Sequence, residues 1–259
     1  MSYSNNVPHK PELVLITGAT GGFGSAFARR FAALGSKLIL AGRRAEKLKS
    51  LRDELKTEVH TVELDIRDRK AIDQAFGNLP PEFAAVETLI NNAGLALGAD
   101  PAQKSDPDDW ETMIDTNDKG LVFATRALLP GMIERGRGHV INIGSTAGSY
   151  PYPGGNVYCA SKAFVKQFSL ALRADLQGTG VRVTNVEPGM VETDFSLVRF
   201  KGDAERAEKV YAGTTPLTPD DVAEAVFWAA TLPPHFNVNR LEIMPTTQAF
   251  GPLAIHRSQ

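Results

Sequence analysis

Apolar residues along this chain recur in two alternating rhythms. Leu13-Val14-Leu15-Ile16 is an unbroken apolar run of the kind that forms a strand buried on both faces. Phe23, Ala26, Phe27, Phe31 and Leu34 then recur at helical spacing up to Gly35. The same exchange repeats. Lys37 to Ala41 reads as a second strand and Ala45 to Lys56 as a charged, amphipathic helix. Val59 to Leu64 reads as a third strand, Asp68 to Phe76 as a helix with Asp68 near its start, and Val86 to Ile90 as a fourth strand. A long helical region covers about Asp109 to Arg135, and His139 to Ile143 is a fifth strand. Val157 to Gln177 is a helix closed by Gly178, and Val181 to Val186 a sixth strand. About Phe195 to Tyr211 reads as helical, Pro219 to Leu232 as a further helix, and Val238 to Ile243 as a seventh strand. Strands that alternate with helices in this way predict an α/β, single-domain Rossmann fold. The expected architecture is a doubly wound, seven-stranded parallel sheet with helices on both faces. No shift of composition marks a linker, so residues 1–259 read as one domain, with 1–11 a flexible N-terminus.

Composition narrows the partners. The chain has 259 residues, 42% hydrophobic and 22% charged, with a net charge of -2. That is the balance of an ordinary globular domain without a basic stripe, which argues against nucleic acid as a partner. No apolar stretch is long enough to span a membrane. The lone cysteine, Cys159, has no internal disulfide partner, which suits a reducing compartment such as the cytoplasm. The histidines, His9, His60, His139, His235 and His256, lack metal-ligand spacing, so no metal is expected.

Candidate chemistry sits at the ends of the expected strands. Gly18, Gly22 and Gly24 lie between the first strand and the first helix. Glycines there permit a tight turn and close approach of backbone to a pyrophosphate at a helix N-terminus. The second strand runs into Gly42-Arg43-Arg44 with no acid at that point. Guanidinium groups suit a ribose 2′-phosphate, whereas a carboxylate would repel it, so the expected cofactor is NADP(H). One such ion pair at about 4 Å is worth about 4 kcal/mol before desolvation. The bland alternative leaves both arginines as solvated residues at a helix start. Asp65 is placed to receive the adenine amino group, and Asn92 with Ala93-Gly94 to floor the crevice.

Tyr158 and Lys162 stand four apart on one face of a helix. A lysine cation beside a phenol favours the phenolate and lowers the tyrosine pKa from its usual value of about 10. That makes a general acid and base usable near neutrality. Taken singly, Ser145 also reads as a turn hydroxyl, Asn117 as a polar helix breaker and Lys162 as a surface residue.

Taken together, Thr17-Gly18 with Gly22 and Gly24, Asn91-Asn92-Ala93-Gly94, Ser145, Tyr158 with Lys162, and Pro188-Gly189 resemble the short-chain dehydrogenase/reductase family from Leu13 to about Ile243. Thr20-Gly21 stands where many relatives carry serines. The resemblance implies a catalytic set of Asn117, Ser145, Tyr158 and Lys162. Tyr158 would protonate a carbonyl oxygen, Ser145 orient it, and Lys162 hold the nicotinamide ribose. Asn117 would position a water that links Lys162 to solvent. The implied cofactor lining adds Thr20, Phe23, Ile66, Val191 and Thr193 to Gly18, Gly22, Gly24, Arg43, Arg44, Asp65, Asn92, Ala93, Gly94, Pro188 and Gly189.

The segment 190–215 is the expected substrate lid, facing the loop Ser149 to Gly155. It and the tail Asn239 to Gln248 resemble the branch of the family that acts on small 3-hydroxy acids with NADP: serine, L-allo-threonine and 3-hydroxypropionate, or malonic semialdehyde in reverse. Such a substrate needs a cation. Arg199 is the candidate, with Lys201 second and Tyr152 beside them. A solvated lid charge is the alternative. A broad carbonyl reductase is the enzymatic rival, and an idle NADPH-binding sensor or scaffold the non-enzymatic one. A 3-oxoacyl-carrier-protein reductase would carry a Val-Asp-Gly-Gly-like end to its last strand, absent here. Apolar residues spread around the helix from Val157 predict a homo-oligomer, and the resemblance favours a tetramer.

Overall fold

The computed structural model describes residues 9–251. Seven strands form one parallel sheet in the order β3-β2-β1-β4-β5-β6-β7. Their ranges are β1 Leu13–Thr17, β2 Lys37–Gly42, β3 Val59–Glu63, β4 Thr88–Asn91, β5 Gly138–Ile143, β6 Val181–Pro188 and β7 Arg240–Ile243. The Rossmann topology is as expected. The direction of winding reverses between β1 and β4, where a crevice opens at the carboxyl ends of the strands.

Alternating side chains of the strands feed two cores. Val14, Ile16, Leu38 and Leu40 pack against α1 (Gly22–Ala33), α2 (Ala45–Glu54) and α9 (Pro219–Thr231). Leu13, Leu15, Ile39, Leu89 and Val140 pack on the opposite face against α3 (Arg69–Gly77), α5 (Gly120–Glu134) and α6 (Asn156–Asp175). A strand buried on both faces has no polar side, which is why β1 reads as continuous apolar sequence.

The helix expected over 109–135 is three pieces. α4 (Pro107–Ile114) passes into a π turn, Asp115–Lys119, before α5. The wider turn sends Asn117 inward, where it is 1% exposed. The helix expected over 195–211 is two short ones, α7 (Phe195–Arg199) and α8 (Ala204–Lys209). The chain breaks between them at Lys201 (φ 53°) and Gly202 (φ 95°), a left-handed corner that no helix tolerates.

The seventh strand begins at Arg240, not Val238. Ahead of it the Asn237 side chain takes the place of strand backbone. It accepts from Val183 N at 2.7 Å and donates to Val183 O at 2.9 Å. Residues 1–8, most of the stretch expected to be flexible, lie outside the described residues. Residues 9–11 are held down. His9 N donates to Thr231 O, His9 Nε2 lies 2.8 Å from Glu87 Oε1, and Ser36 Oγ donates to Pro11 O.

Candidate active site

A cavity of about 1330 Å³ occupies the crevice at the strand ends. Its lining includes Gly18, Thr20, Gly22, Phe23, Arg43, Arg44, Asp65, Ile66, Asn92, Ala93 and Gly94. Ser145, Tyr152, Tyr158, Lys162, Pro188, Gly189, Val191, Thr193 and Arg199 line it too, with Gly22 beside Thr193 and Gly94 beside Lys162. Of the residues singled out from sequence, Gly24 and Asn117 lie behind the wall and Lys201 lies elsewhere.

The glycine turn is shaped by close backbone approach. Gly18 has φ 63°, and a Cβ there would lie 2.9 Å from Ala93 Cα. Gly24 lets α1 pack against the turn, since a Cβ there would enter Gly18 O and the Ala19 backbone. Asn92 ties the turn to β4 by donating from Nδ2 to Thr17 O and Gly18 O at 2.9 and 3.1 Å.

Arg44 folds back over the turn. Its Nε donates to Thr20 Oγ1 at 3.0 Å, and one terminal nitrogen donates to Thr20 O and Oγ1, both at 2.8 Å. The guanidinium is thereby fixed at the cavity end that Arg43 also lines. Asp65 is otherwise engaged. Its carboxylate receives Arg67 Nε and a terminal nitrogen at 3.0 and 2.6 Å, together with the Arg67 N–H. Arg67 holds that carboxyl below its ordinary range.

Ser145 lies two residues past β5 with extended backbone, its Oγ accepting from Ala147 N at 3.1 Å. α6 presents Tyr158 and Lys162 one turn apart, and the Phe195 ring packs on Tyr158 at 5.6 Å. Burial pushes the phenol of Tyr158 well up, and the Ser145 hydroxyl beside it acts in the other direction. Burial thus works against the lowering expected from Lys162. The ammonium stands 5.9 Å from the Tyr158 ring centre and donates to Ile143 O at 2.9 Å, so desolvation outweighs it. Nor is Lys162 a fixed cation. Burial brings it down to about 8, with the Asp118 carboxylate acting against that fall.

Asn117 makes three hydrogen bonds to protein. Its Oδ1 accepts from Leu95 N at 2.9 Å, and its Nδ2 donates to Leu95 O at 2.9 Å and Ser161 Oγ at 3.0 Å. Ser161 passes the tie on by donating to Tyr158 O at 2.8 Å. Asn117 therefore pins the backbone under Gly94-Leu95 to α6. The next residue, Asp118, buries Oδ1 with no hydrogen-bond partner among the described residues. Burial pushes its carboxyl up to about 7, while the charge of Lys162 acts to lower it.

A family model described as short chain dehydrogenase matches residues 12–203. The chain belongs to the short-chain dehydrogenase family. An NADP-dependent 3-hydroxy acid dehydrogenase of Salmonella typhi is 61% identical over 247 residues, which cover 95% of this chain and 100% of that protein. Sulfoacetaldehyde reductase 2 of Chromohalobacter salexigens is 58% identical, covering 95% of this chain and 99% of that protein. A solved structure, the closed form of serine dehydrogenase complexed with NADP+, superposes with a TM-score of 0.93 at 59% identity, covering 95% and 100% of the two chains.

At the substrate end of this short-chain dehydrogenase, Arg199 is held between two loops. Its Nε donates to Gly98 O and a terminal nitrogen donates to Tyr152 Oη, both at 2.9 Å. The guanidinium also lies over the Tyr152 ring, 5.3 Å from its centre. Lys201 is corrected as a candidate. Its ammonium points away from the cavity to Asp109 at 2.9 Å. Cys159 is buried, and burial pushes its thiol up.

Sequence spacing does not single out Met190, Tyr150, Gln248 or Phe250, which also line the cavity. Gln248 Oε1 accepts from Met190 N at 2.6 Å across 58 positions. The Phe250 ring lies 4.7 Å from that of Tyr150. No local pattern signals contacts made by a chain end that returns to the site. Among the described residues no group of three or more His, Cys, Asp or Glu side chains is placed to hold a metal. None of the helices there is long and apolar enough to cross a membrane.

Proposed function

We propose that this chain is an NADP(H)-dependent oxidoreductase that interconverts the 3-hydroxyl and 3-oxo groups of small acids. The observation that carries the reading is one cavity with Arg43 and Arg44 at one end and Ser145, Tyr158 and Arg199 at the other. A dinucleotide phosphate fits these residues. The turn at Gly18 packs its backbone directly on Ala93, and the Arg44 guanidinium is anchored to Thr20 in the cavity lining. Gly18, Gly22 and Thr193 hold the pyrophosphate and nicotinamide side, Arg43 and Arg44 the 2′-phosphate. When bound, NADP(H) supplies or accepts the hydride.

The protein's own groups manage the oxygen and its proton. Tyr158, kept protonated by burial, donates to the carbonyl oxygen in reduction and takes the proton back in oxidation. Ser145 donates a hydrogen bond to the same oxygen and stabilises its developing charge. Lys162 carries a cation next to the tyrosine and holds the ribose hydroxyls. Asn117 fixes the height of α6 and is the station for a water leading from Lys162 outward. Arg199 receives the carboxylate, with Tyr152 orienting it. Residues 1–259 act as one domain in which 190–215 covers the substrate.

A second reading has specific support. Relatives named sulfoacetaldehyde reductase are 56–58% identical, and a sulfonate shares the anionic end that a guanidinium binds. The test is kcat/KM with NADP+ and NAD+ over serine, L-allo-threonine, 3-hydroxypropionate and uncharged alcohols, and with NADPH and NADH over sulfoacetaldehyde. A 3-hydroxy acid with an NADP preference of several hundred-fold is the expected result. Preference for sulfoacetaldehyde supports the second reading, and equal use of uncharged alcohols supports a broad carbonyl reductase. NADPH binding without turnover makes the chain a sensor. We further place it in the cytoplasm as a homotetramer. The support for self-association is Phe164 and Leu170, which α6 leaves on the surface at 43% and 36% exposure.

A further inference from the structure

The corner between α7 and α8 is tied to a distant loop by charge. Lys201 takes up left-handed backbone, which an L side chain adopts at some cost. From there its ammonium reaches Asp109 Oδ2 at 2.9 Å and Asp106 Oδ2 at 3.7 Å. Both acids belong to the start of α4, where Asp106 is the N-cap and accepts from Asp108 N. The Asp109 side chain is 15% exposed, so its charge is poorly served by water; that of Lys201 is 57% exposed.

Two residues earlier, Arg199 is clasped to the loop that leads into α4. Gly98 N donates to Arg199 O at 3.0 Å, while Arg199 Nε donates to Gly98 O. Its remaining nitrogens turn toward Tyr152 Oη and, at 3.5 Å, Gly154 O. The two ties hold one short segment to the Gly98 loop and to the start of α4 that follows it. They flank a second cavity of about 190 Å³, lined by Asp106, Asp109, Arg199, Lys201 and Arg206 among others. Arg206 is a poor substitute for Lys201, since its guanidinium stacks on Phe200 at 4.5 Å.

We propose that Lys201 and Asp109 are a positioning pair that holds Arg199 in the orientation that receives the anionic end of the substrate. This rests on the reading of Arg199 given above. Lys201 touches neither substrate nor cofactor. It acts by keeping the 195–203 segment closed on the Gly98 loop, so that Arg199 meets the substrate already oriented. An ion pair with one exposed partner shifts such an equilibrium by roughly two- to fivefold, and less in salt.

Steady-state kinetics of the full-length enzyme with 3-hydroxypropionate and NADP+ test this, alongside hydrogen exchange at the Gly98 amide. At low salt, Lys201→Gln raises KM for 3-hydroxypropionate roughly two- to fivefold with kcat little changed. The ratio of variant to parent KM falls toward one in 0.5 M NaCl, and Lys201→Arg restores the parent value. Gly98 exchanges faster in Lys201→Gln whatever the substrate proves to be. An unchanged KM and an unchanged Gly98 exchange rate overturn the proposal, as does a KM ratio that salt leaves untouched. Arg199→Ala separates the two readings. If it leaves KM unchanged, the assignment of Arg199 fails. If it raises KM while Lys201→Gln does not, only the pairing fails.

Discussion

At the scale of single residues, the chemistry depends on how burial sets each proton. Tyr158 combines a phenol raised by desolvation with the Ser145 hydroxyl beside it. Its role is proton transfer, so Tyr158→Phe is expected to keep the fold and cofactor binding while kcat falls by about 10²–10⁴. Single-turnover reduction with cofactor titrated by fluorescence checks this, and a near-parental kcat removes Tyr158 from the role. Asp118 offers a test in pH. Lys162 titrates near 8 with the Asp118 carboxylate holding it up. The charged lysine is the working form, so kcat/KM should fall as pH rises through about 8. In Asp118→Asn that alkaline limb moves to lower pH.

Stability should respond too. Asp118 titrates near 7 in the folded chain against 3.8 unfolded. Between these values the folded state binds more protons than the unfolded one, so this contribution weakens as pH rises and its cost is complete above 7. Asp118→Asn should therefore raise Tm more at pH 8 than at pH 4. Calorimetry at the two pH values decides it; an equal shift at both argues against a buried charged carboxylate.

At the scale of elements, the βα turn and the π turn each do work that an ordinary turn or helix could not. Gly24 sits where α1 meets the turn, and an added Cβ would enter backbone atoms of Gly18 and Ala19. Gly24→Ala is expected to cost about 1–3 kcal/mol of stability through overpacking. At roughly 2–4 °C per kcal/mol this is visible in a melting curve, with a weaker affinity for NADPH. A parental Tm and Kd would mean that the turn yields. Both glycine positions were legible in sequence because a tight turn after a strand has few chemical solutions. The π turn was legible as an interruption at Asn117, but not as the device that turns both Asn117 and Asp118 toward α6. The break at Lys201 was signalled in sequence only by the Gly202-Asp203 that follows, which the single helix read over 195–211 passed over.

At the scale of the whole molecule, α6 joins the catalytic set to an outer apolar surface. Phe164 and Phe168 stack with rings 6.1 Å apart, and Phe164 is exposed while Phe168 packs toward the core. A second copy covering this face gives a mass in light scattering that is a multiple of the chain's own, and Phe164→Asp shifts it toward the single chain. A monomer at all concentrations would contradict that assembly.

The alternation of buried strands and helices, the glycine turn, the arginines after β2 and the Tyr158–Lys162 spacing were determined by sequence alone. Each is a local pattern, set by one period, one turn or one helix face. The tertiary structure decided what depends on distance between segments far apart in the chain. It buried Lys162 beside the half-buried Asp118, and turned Lys201 out to Asp109 while keeping Arg199 at the cavity. Such outcomes follow from desolvation and from which partner the fold places nearest a charge, and neither is written in the spacing of residues along a chain.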